Sequence, residues 1–270
     1  MEILHIFTLA VVQGISEFLP ISSSGHLLLM PVLTGWPDQG LTADVMMHVG
    51  SLAAIIAYFW TDIVRLVIGG LNLLRGRLTD YGKLALMILV ATIPAVAFGL
   101  FLEATGWLDA LRERPELVLK VVGWNAVIFG VILYIADLIG PRLKAVEDMR
   151  FGSAIIVGVA QMLALIPGTS RSGITMTAAR MLGFARPEAA RFSFLLGTPA
   201  IAGAGLVTTL KAVEEGVGIS NAELLGAGFS FLASFAAIAF LMAVVKRMSF
   251  LPFVVYRLGL GAILLWMAYS

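Results

Sequence analysis

The chain of 270 residues contains no cysteine. That excludes disulfides, thiolate nucleophiles and cysteine-based metal sites. Charge is also scarce. Asp, Glu, Lys and Arg make up 13% of the residues, where a soluble domain carries about 25%. In their place stand 60% hydrophobic residues and a mean hydropathy of +0.98. No soluble core of this size needs so much apolar surface, so the excess must face lipid. The formal net charge is +1, and no basic patch interleaved with aromatics points to nucleic acid. Residues Met1 to Ala10 lack a basic run and a small-residue cleavage site. The first apolar stretch is therefore expected to stay in the mature protein. The reading is a single membrane domain over 1–270.

A span needs about 20 apolar residues. Six stretches qualify, near 42–60, 84–102, 117–139, 189–210, 223–245 and 251–269. Two further apolar regions carry polar residues in their middle. Region 3–33 contains Gln13, Glu17, Pro20, three serines, Gly25 and His26. Region 151–183 contains Gln161, Pro167, Thr169, Ser170, Arg171, Ser172 and Gly173. Each reads as a short helix, a polar break and a second short helix. Non-helical backbone at membrane depth survives only when buried in protein or lining a wet cavity. The expected fold is an all-α polytopic membrane protein with six transmembrane helices and two re-entrant helical hairpins.

The two breaks resemble each other. Gly25 and Gly173 lie 148 positions apart, and a glutamine precedes each break. Gly50-Ser51 lies 147 positions before Gly197-Thr198. Two repeats follow, approximately 1–139 and 151–270, each a hairpin plus three spans. Three spans per repeat start the second repeat on the opposite side. Charge placement agrees. The segments 61–83, 140–150, 180–191 and 246–247 hold twelve of the eighteen basic residues, whereas 103–116 and 211–222 hold Arg112, Arg114 and Lys211. The six spans put the basic segments on one face, which is then cytoplasmic. The hairpins enter from opposite sides, as in an inverted-topology repeat whose polar breaks meet near the midplane.

The breaks carry chemistry. Gln13 and Glu17 are i and i+4 on one helix face, and their oxygens suit a hard divalent cation such as Mg²⁺ or Ca²⁺. Ser22, Ser23 and Ser24 precede Gly25 and a helix opened by His26. Serines there cap the helix, and its free N–H groups form a phosphate site. His26 can serve as acid, base or nucleophile. The second break repeats the construction, with Arg171 in its loop, donors from Ser170, Ser172 and Gly173, and a helix expected over 174–183. Arginine grips phosphate bidentately. Plainer readings stand beside these. Glu17 and Arg171 also suit a structural ion pair, His26 a satisfied core histidine, and the serines capping alone. Asp44 and His48 form another i, i+4 polar pair. Trp36, Trp60, Trp107 and Trp124 sit near expected span ends, as interfacial residues do.

The run from Gln13 to Leu27, Gln-Gly-Ile-Ser-Glu-Phe-Leu-Pro-Ile-Ser-Ser-Ser-Gly-His-Leu, resembles the first signature of the bacterial undecaprenyl-diphosphate phosphatases of the bacitracin-resistance type. Pro167 to Gly173, Pro-Gly-Thr-Ser-Arg-Ser-Gly, resembles their second, and Phe192 to Leu196 and Ile93 to Ala95 resemble further segments. The resemblance covers essentially the whole chain. It implies release of phosphate from undecaprenyl diphosphate to give the monophosphate carrier for cell-wall synthesis, with bacitracin resistance. It also implies a divalent-metal requirement, a multi-pass protein of the bacterial inner membrane with its site open outward, and possible homodimers. The family's acidic motif falls on Gln13 and Glu17, its essential His and Arg on His26 and Arg171, and its serine on Ser23. Some relatives have Glu where this chain has Gln13. The implied set has Glu17, His26, Arg171 and Ser23 as catalytic residues, and Glu17 with Gln13 on the metal. Ser22, Ser24, Gly25, Ser170, Ser172 and Gly173 hold the phosphate. A second function class fits broken helices in inverted repeats, namely a transporter or flippase of a polyprenyl phosphate lipid.

Overall fold

The computed structural model describes residues 3–37, 40–214 and 220–270. Met1, Glu2 and much of the 211–222 segment, including the Lys211 side chain, lie outside the described residues. Among the described residues there is no β-strand. The elements are α1 (Ile3–Phe18), α2 (Ser23–Thr34), α3 (Leu41–Tyr58), α4 (Trp60–Leu74), α5 (Asp80–Thr105), α6 (Trp107–Arg112), α7 (Pro115–Ile139), α8 (Phe151–Met162), α9 (Arg171–Met181), α10 (Arg186–Glu214), α11 (Asn221–Arg247) and α12 (Leu251–Tyr269).

Local chemistry sets these limits. Ser22 and Ser170 cap α2 and α9, their hydroxyls accepting from Gly25 N and Gly173 N. Thr79 caps α5 in the same way, and Ser220 with Glu223 closes a capping box on α11. Gly35 and Gly106 end α2 and α5 in the left-handed conformation. Proline starts α7 and α12, where its missing N–H is no loss.

Helices α5, α7, α11, α12 and residues 186–207 of α10 are long and apolar enough to cross a membrane. Helices α3 and α4, bent by 89° at Phe59, are together apolar enough for a sixth span if the pair counts as one. The expected all-α membrane architecture is therefore present. The segment 61–83, expected as a basic loop, instead holds α4. One face of α4, Asp62 and Gly69, is buried, while Trp60, Val67, Ile68, Leu71 and Leu74 stay exposed. A helix so divided has no continuous apolar run, so its sequence reads as a loop. The helix expected over 174–183 starts at Arg171, so Arg171 belongs to its first turn and not to a loop. Trp124 lies inside α7 rather than near its end.

The principal core gathers Phe18, Ile55, Phe59, Met176, Phe184, Phe192, Phe194 and Phe250 from the middle of the bundle. Small residues let helices approach closely, as expected in lipid. A Cβ on Gly50 would strike the Ala227 carbonyl of α11, and one on Gly158 would strike that of Ala91 in α5. Ser51, Ser230 and Ser234 hydrogen-bond across the α3–α11 seam.

Buried polar anchors hold one end of the bundle. Asp137 accepts from Arg180 and Arg186 at 3.1 and 2.6 Å and from Phe250 N at 3.1 Å. Arg180, wholly buried, also donates to the carbonyls of Pro141, Gly140 and Phe184.

Candidate functional site

The site is built where the two breaks touch. After α1 the chain passes through Leu19, Pro20 and Ile21 into Ser22, which has φ +79°. Ser170 occupies the corresponding place before α9, with φ +74°. They are the only non-glycine residues with positive φ among those described. Such backbone costs about 1–3 kcal/mol per residue and persists only where its surroundings fix it. Here the surroundings do. Ser22 Oγ accepts from Gly25 N at 3.4 Å and from Gly168 N of the other break at 3.2 Å. Ser170 Oγ accepts from Gly173 N at 3.1 Å and lies 3.2 Å from Ser172 Oγ. Ser172 Oγ in turn donates to Leu19 O at 3.0 Å. Each break thus hydrogen-bonds the other. Gly25 suits this closeness, because a Cβ there would stand 3.3 Å from Gly168 Cα, tighter than an ordinary contact.

Arg257, from α12, clamps both breaks. Its wholly buried guanidinium donates to Pro20 O at 3.2 Å, Thr169 O at 2.9 Å and Gly168 O at 3.0 Å. It also reaches Ala126 O and Asn125 O of α7. Asn125 Nδ2 adds a bond to Pro167 O at 2.8 Å.

Glu17, 6% exposed, lies at the centre. Its Oε1 accepts from Arg171 Nη2 at 2.9 Å. Its Oε2 accepts from Ser23 Oγ at 2.6 Å and Gln13 Nε2 at 3.0 Å. His48 Nε2 lies 3.6 Å from the same oxygen, while His48 Nδ1 is bonded to Asp44 O. Arg171 is steadied from α10. Its Nη1 donates to Ser193 O at 3.1 Å, and it lies so close to Gly197 that no Cβ fits there. A nucleophile-bearing hydroxyl, a carboxylate placed to take its proton and a guanidinium that pairs with oxyanions therefore converge within hydrogen-bond reach.

The donor set offers oxygens to a divalent cation. Gln13 Oε1 is buried with no hydrogen-bond partner. Among the described residues no three His, Asp or Glu side chains gather to hold an ion. One carboxylate and one amide oxygen fit a cation such as Mg²⁺, which completes its shell from water and phosphate oxygens.

The expected residues thus separate. Glu17, Gln13, Ser23 and Arg171 come together. His26 does not join them through any direct contact. Its Nδ1 lies 2.6 Å from Ser22 O and its Nε2 2.6 Å from Tyr256 Oη. Ser22, Ser170 and Ser172 are buried with their hydroxyls engaged in the breaks, and the N–H groups of Gly25 and Gly173 are taken by the caps. Ser24 is exposed and Ser23 half-buried. Asp44 is not a side-chain partner of His48. Its carboxylate stands 3.6 Å from Arg112.

A family described as bacitracin resistance protein BacA matches residues 6–263. The chain belongs to the BacA family. It is 47% identical over 276 residues to a protein of Jannaschia sp. (strain CCS1), covering the whole of both chains. It is 46% identical over 272 residues to one of Ruegeria sp. (strain TM1040), again over the whole of both. It is 46% identical over 270 residues to one of Maricaulis maris (strain MCS10), covering 98% of each. All three relatives are named undecaprenyl-diphosphatase.

In this BacA-family chain, sequence reasoning missed two residues around the breaks and the role of a third. Arg257 and Tyr256 sit inside a span whose other residues are apolar, so the span was the only signal. A lone arginine in such a window was the sign to follow, because a charge at membrane depth marks a partner in the protein. His48 was noted, but its approach to Glu17 joins α3 to α1 and leaves no trace in local spacing.

Proposed function

We propose that the protein hydrolyses undecaprenyl diphosphate to undecaprenyl phosphate and inorganic phosphate, recycling the lipid carrier for cell-wall synthesis. Membership of the BacA family and full-length similarity to undecaprenyl-diphosphatases carry the reaction. The hydrogen-bonded run Ser23–Glu17–Arg171 carries the site.

In our reading Ser23 Oγ attacks the terminal phosphorus as Glu17 takes its proton. The bond to the bridging oxygen breaks, undecaprenyl phosphate leaves, and phosphate is held on Ser23. Glu17 passes that proton to the departing undecaprenyl phosphate. Water then attacks the phosphorus on Ser23 and gives its proton to Glu17, which returns it to Ser23 Oγ as the Ser23 O–P bond breaks and inorganic phosphate leaves. The 2.6 Å Ser23–Glu17 hydrogen bond favours this over direct attack by water. Arg171 turns from Glu17 towards the phosphoryl oxygens and stabilises the charge that develops there. Phosphate is received by Ser23, Ser24 and the free N–H groups of the first turn of α2. Gln13 Oε1 and the Glu17 carboxylate would hold a divalent cation. When bound, it neutralises charge on the diphosphate.

The hairpins are taken as re-entrant from opposite leaflets of the bacterial inner membrane, with the site open to the outer face. The matching geometry at Ser22 and Ser170 and the one-sided basic segments support this. Possible homodimers belong to the same reading, and the particle mass in detergent checks them.

The deciding assay measures phosphate release from purified undecaprenyl diphosphate, with and without chelator. Ser23→Ala, Glu17→Ala and Arg171→Ala should each lose activity on the order of a hundredfold or more while staying folded. Retained turnover in Glu17→Ala refutes the base assignment. A phosphoenzyme trapped on Ser23 supports covalent attack. Movement of a polyprenyl phosphate across vesicles without phosphate release favours the carrier reading instead.

A further inference from the structure

Tyr256 and Arg257 are neighbours on α12, and both reach the breaks. Arg257 holds their carbonyls. Tyr256 meets His26. The two rings stack with centroids 5.8 Å apart and an interplanar angle of 14°. The hydrogen bonds at the two ring nitrogens differ in kind. Nδ1 faces the Ser22 carbonyl at 2.6 Å. A carbonyl only accepts, so Nδ1 carries a hydrogen. Nε2 faces the Tyr256 hydroxyl at 2.6 Å. In the neutral ring Nε2 accepts, and the phenol donates to it.

We infer that Tyr256 is a positioning residue for His26, whose hydroxyl holds the imidazole in its Nδ1–H tautomer and makes Nε2 the one nitrogen that exchanges protons. Ser22 closes the other nitrogen. That carbonyl belongs to a residue fixed at φ +79° and tied to the second break through Gly168 N. The tautomer is therefore set from one side by the break and from the other by α12. Tyr256 is 45% exposed and His26 half-buried. A proton reaching or leaving Nε2 passes through the Tyr256 hydroxyl or displaces it. The ring stack alone needs no hydroxyl, so Phe at 256 separates the two roles.

The kinetic arm rests on the diphosphatase reading and on His26 Nε2 exchanging a proton in that reaction, and the spectroscopic arm rests on neither. The chain has three histidines, so protein labelled with ¹⁵N at the imidazoles gives three ring systems, with His26 assigned by loss of its signals in His26→Gln. Wild type should show His26 with a protonated Nδ1 and an unprotonated, hydrogen-bonded Nε2. Tyr256→Phe should shift the Nε2 resonance and admit the second tautomer. Its kcat should fall about fivefold to tenfold, the worth of one hydrogen bond, with KM unchanged and melting temperature little changed because the bond is solvent-exposed. A wild-type His26 protonated on Nε2 alone overturns the inference, as does a Tyr256→Phe protein with wild-type kcat and ¹⁵N shifts. If Tyr256→Phe fails to fold, the wild-type tautomer decides. Wild-type protein that releases no phosphate sinks the diphosphatase reading and leaves the tautomer result standing.

Discussion

Gly197→Ala should disable the site without removing a charged group. Gly197 lies on α10 directly against the Arg171 guanidinium. A Cβ built there comes within 2.5 Å of Cζ and 2.9 Å of Nη2, closer than any stable contact. The neighbour on that side is a part-buried guanidinium held by two nitrogens, to Glu17 at 2.9 Å and to Ser193 O at 3.1 Å. Arg171 must leave both. Hydrogen bonds to charged groups are worth about 1.5–3 kcal/mol each, and separating a buried pair costs about 3–5 kcal/mol in all. Alanine repays about 0.5–1 kcal/mol through helix propensity. The net loss is roughly 2–4 kcal/mol, read as a lower melting temperature in detergent. Turnover should drop on the order of 10²–10³-fold, as when one donor to a developing oxyanion is removed. Arg171→Ala should lose as much. The double variant Gly197→Ala/Arg171→Ala should be no worse than Arg171→Ala, since the clash has gone with the side chain. Phosphate release and thermal melts on the four proteins complete the cycle. If Gly197→Ala keeps turnover within twofold of wild type, or the two losses multiply, then Arg171 does not act from the position described.

Arg257→Met should prevent recovery of folded protein. It strips donors from five carbonyls, at about 1–3 kcal/mol each, against a typical total stability of about 5–15 kcal/mol. Arg257→Lys should rescue little, because a point charge cannot span them, and size-exclusion profiles will show both results. Asp137→Asn weakens the anchor shared by Arg180, Arg186 and Phe250 N, so it should destabilise by about 3–5 kcal/mol while the folded fraction keeps its kcat. Gly158→Ala should likewise lower the melting temperature by forcing α8 from Ala91, without a change in kcat.

Much of the site was legible because polar residues inside an apolar window have few ways to be satisfied. Glu17, Gln13 and Ser23 announced themselves in this way, and the matched serine-glycine breaks exposed the repeat. The roles within the breaks were less legible. Ser22, Ser170 and Ser172 look like phosphate donors in sequence, yet a chain that turns through φ +79° and +74° consumes their hydroxyls to hold the turn. His26 was expected beside Glu17. Instead its partner is Tyr256, 230 positions away. A contact of that separation depends on how α12 packs on α7, which periodicity cannot report. The α4 helix was hidden for the opposite reason. Its apolar residues are spread over an exposed stripe and interrupted by Asp62, Arg65 and Asn72, so a hydropathy window averages them away.

The Arg257 clamp also orders events in time. It joins Pro20 to a side chain 237 positions later in the chain. During synthesis both breaks enter the bilayer before α12 exists. Until then the Pro20, Gly168 and Thr169 carbonyls lack their donor, and the breaks have only their mutual contacts through Ser22, Ser172 and Arg171 to hold them. A nascent chain arrested before α12 should therefore be inert, and activity should begin only when the final helix docks against α7.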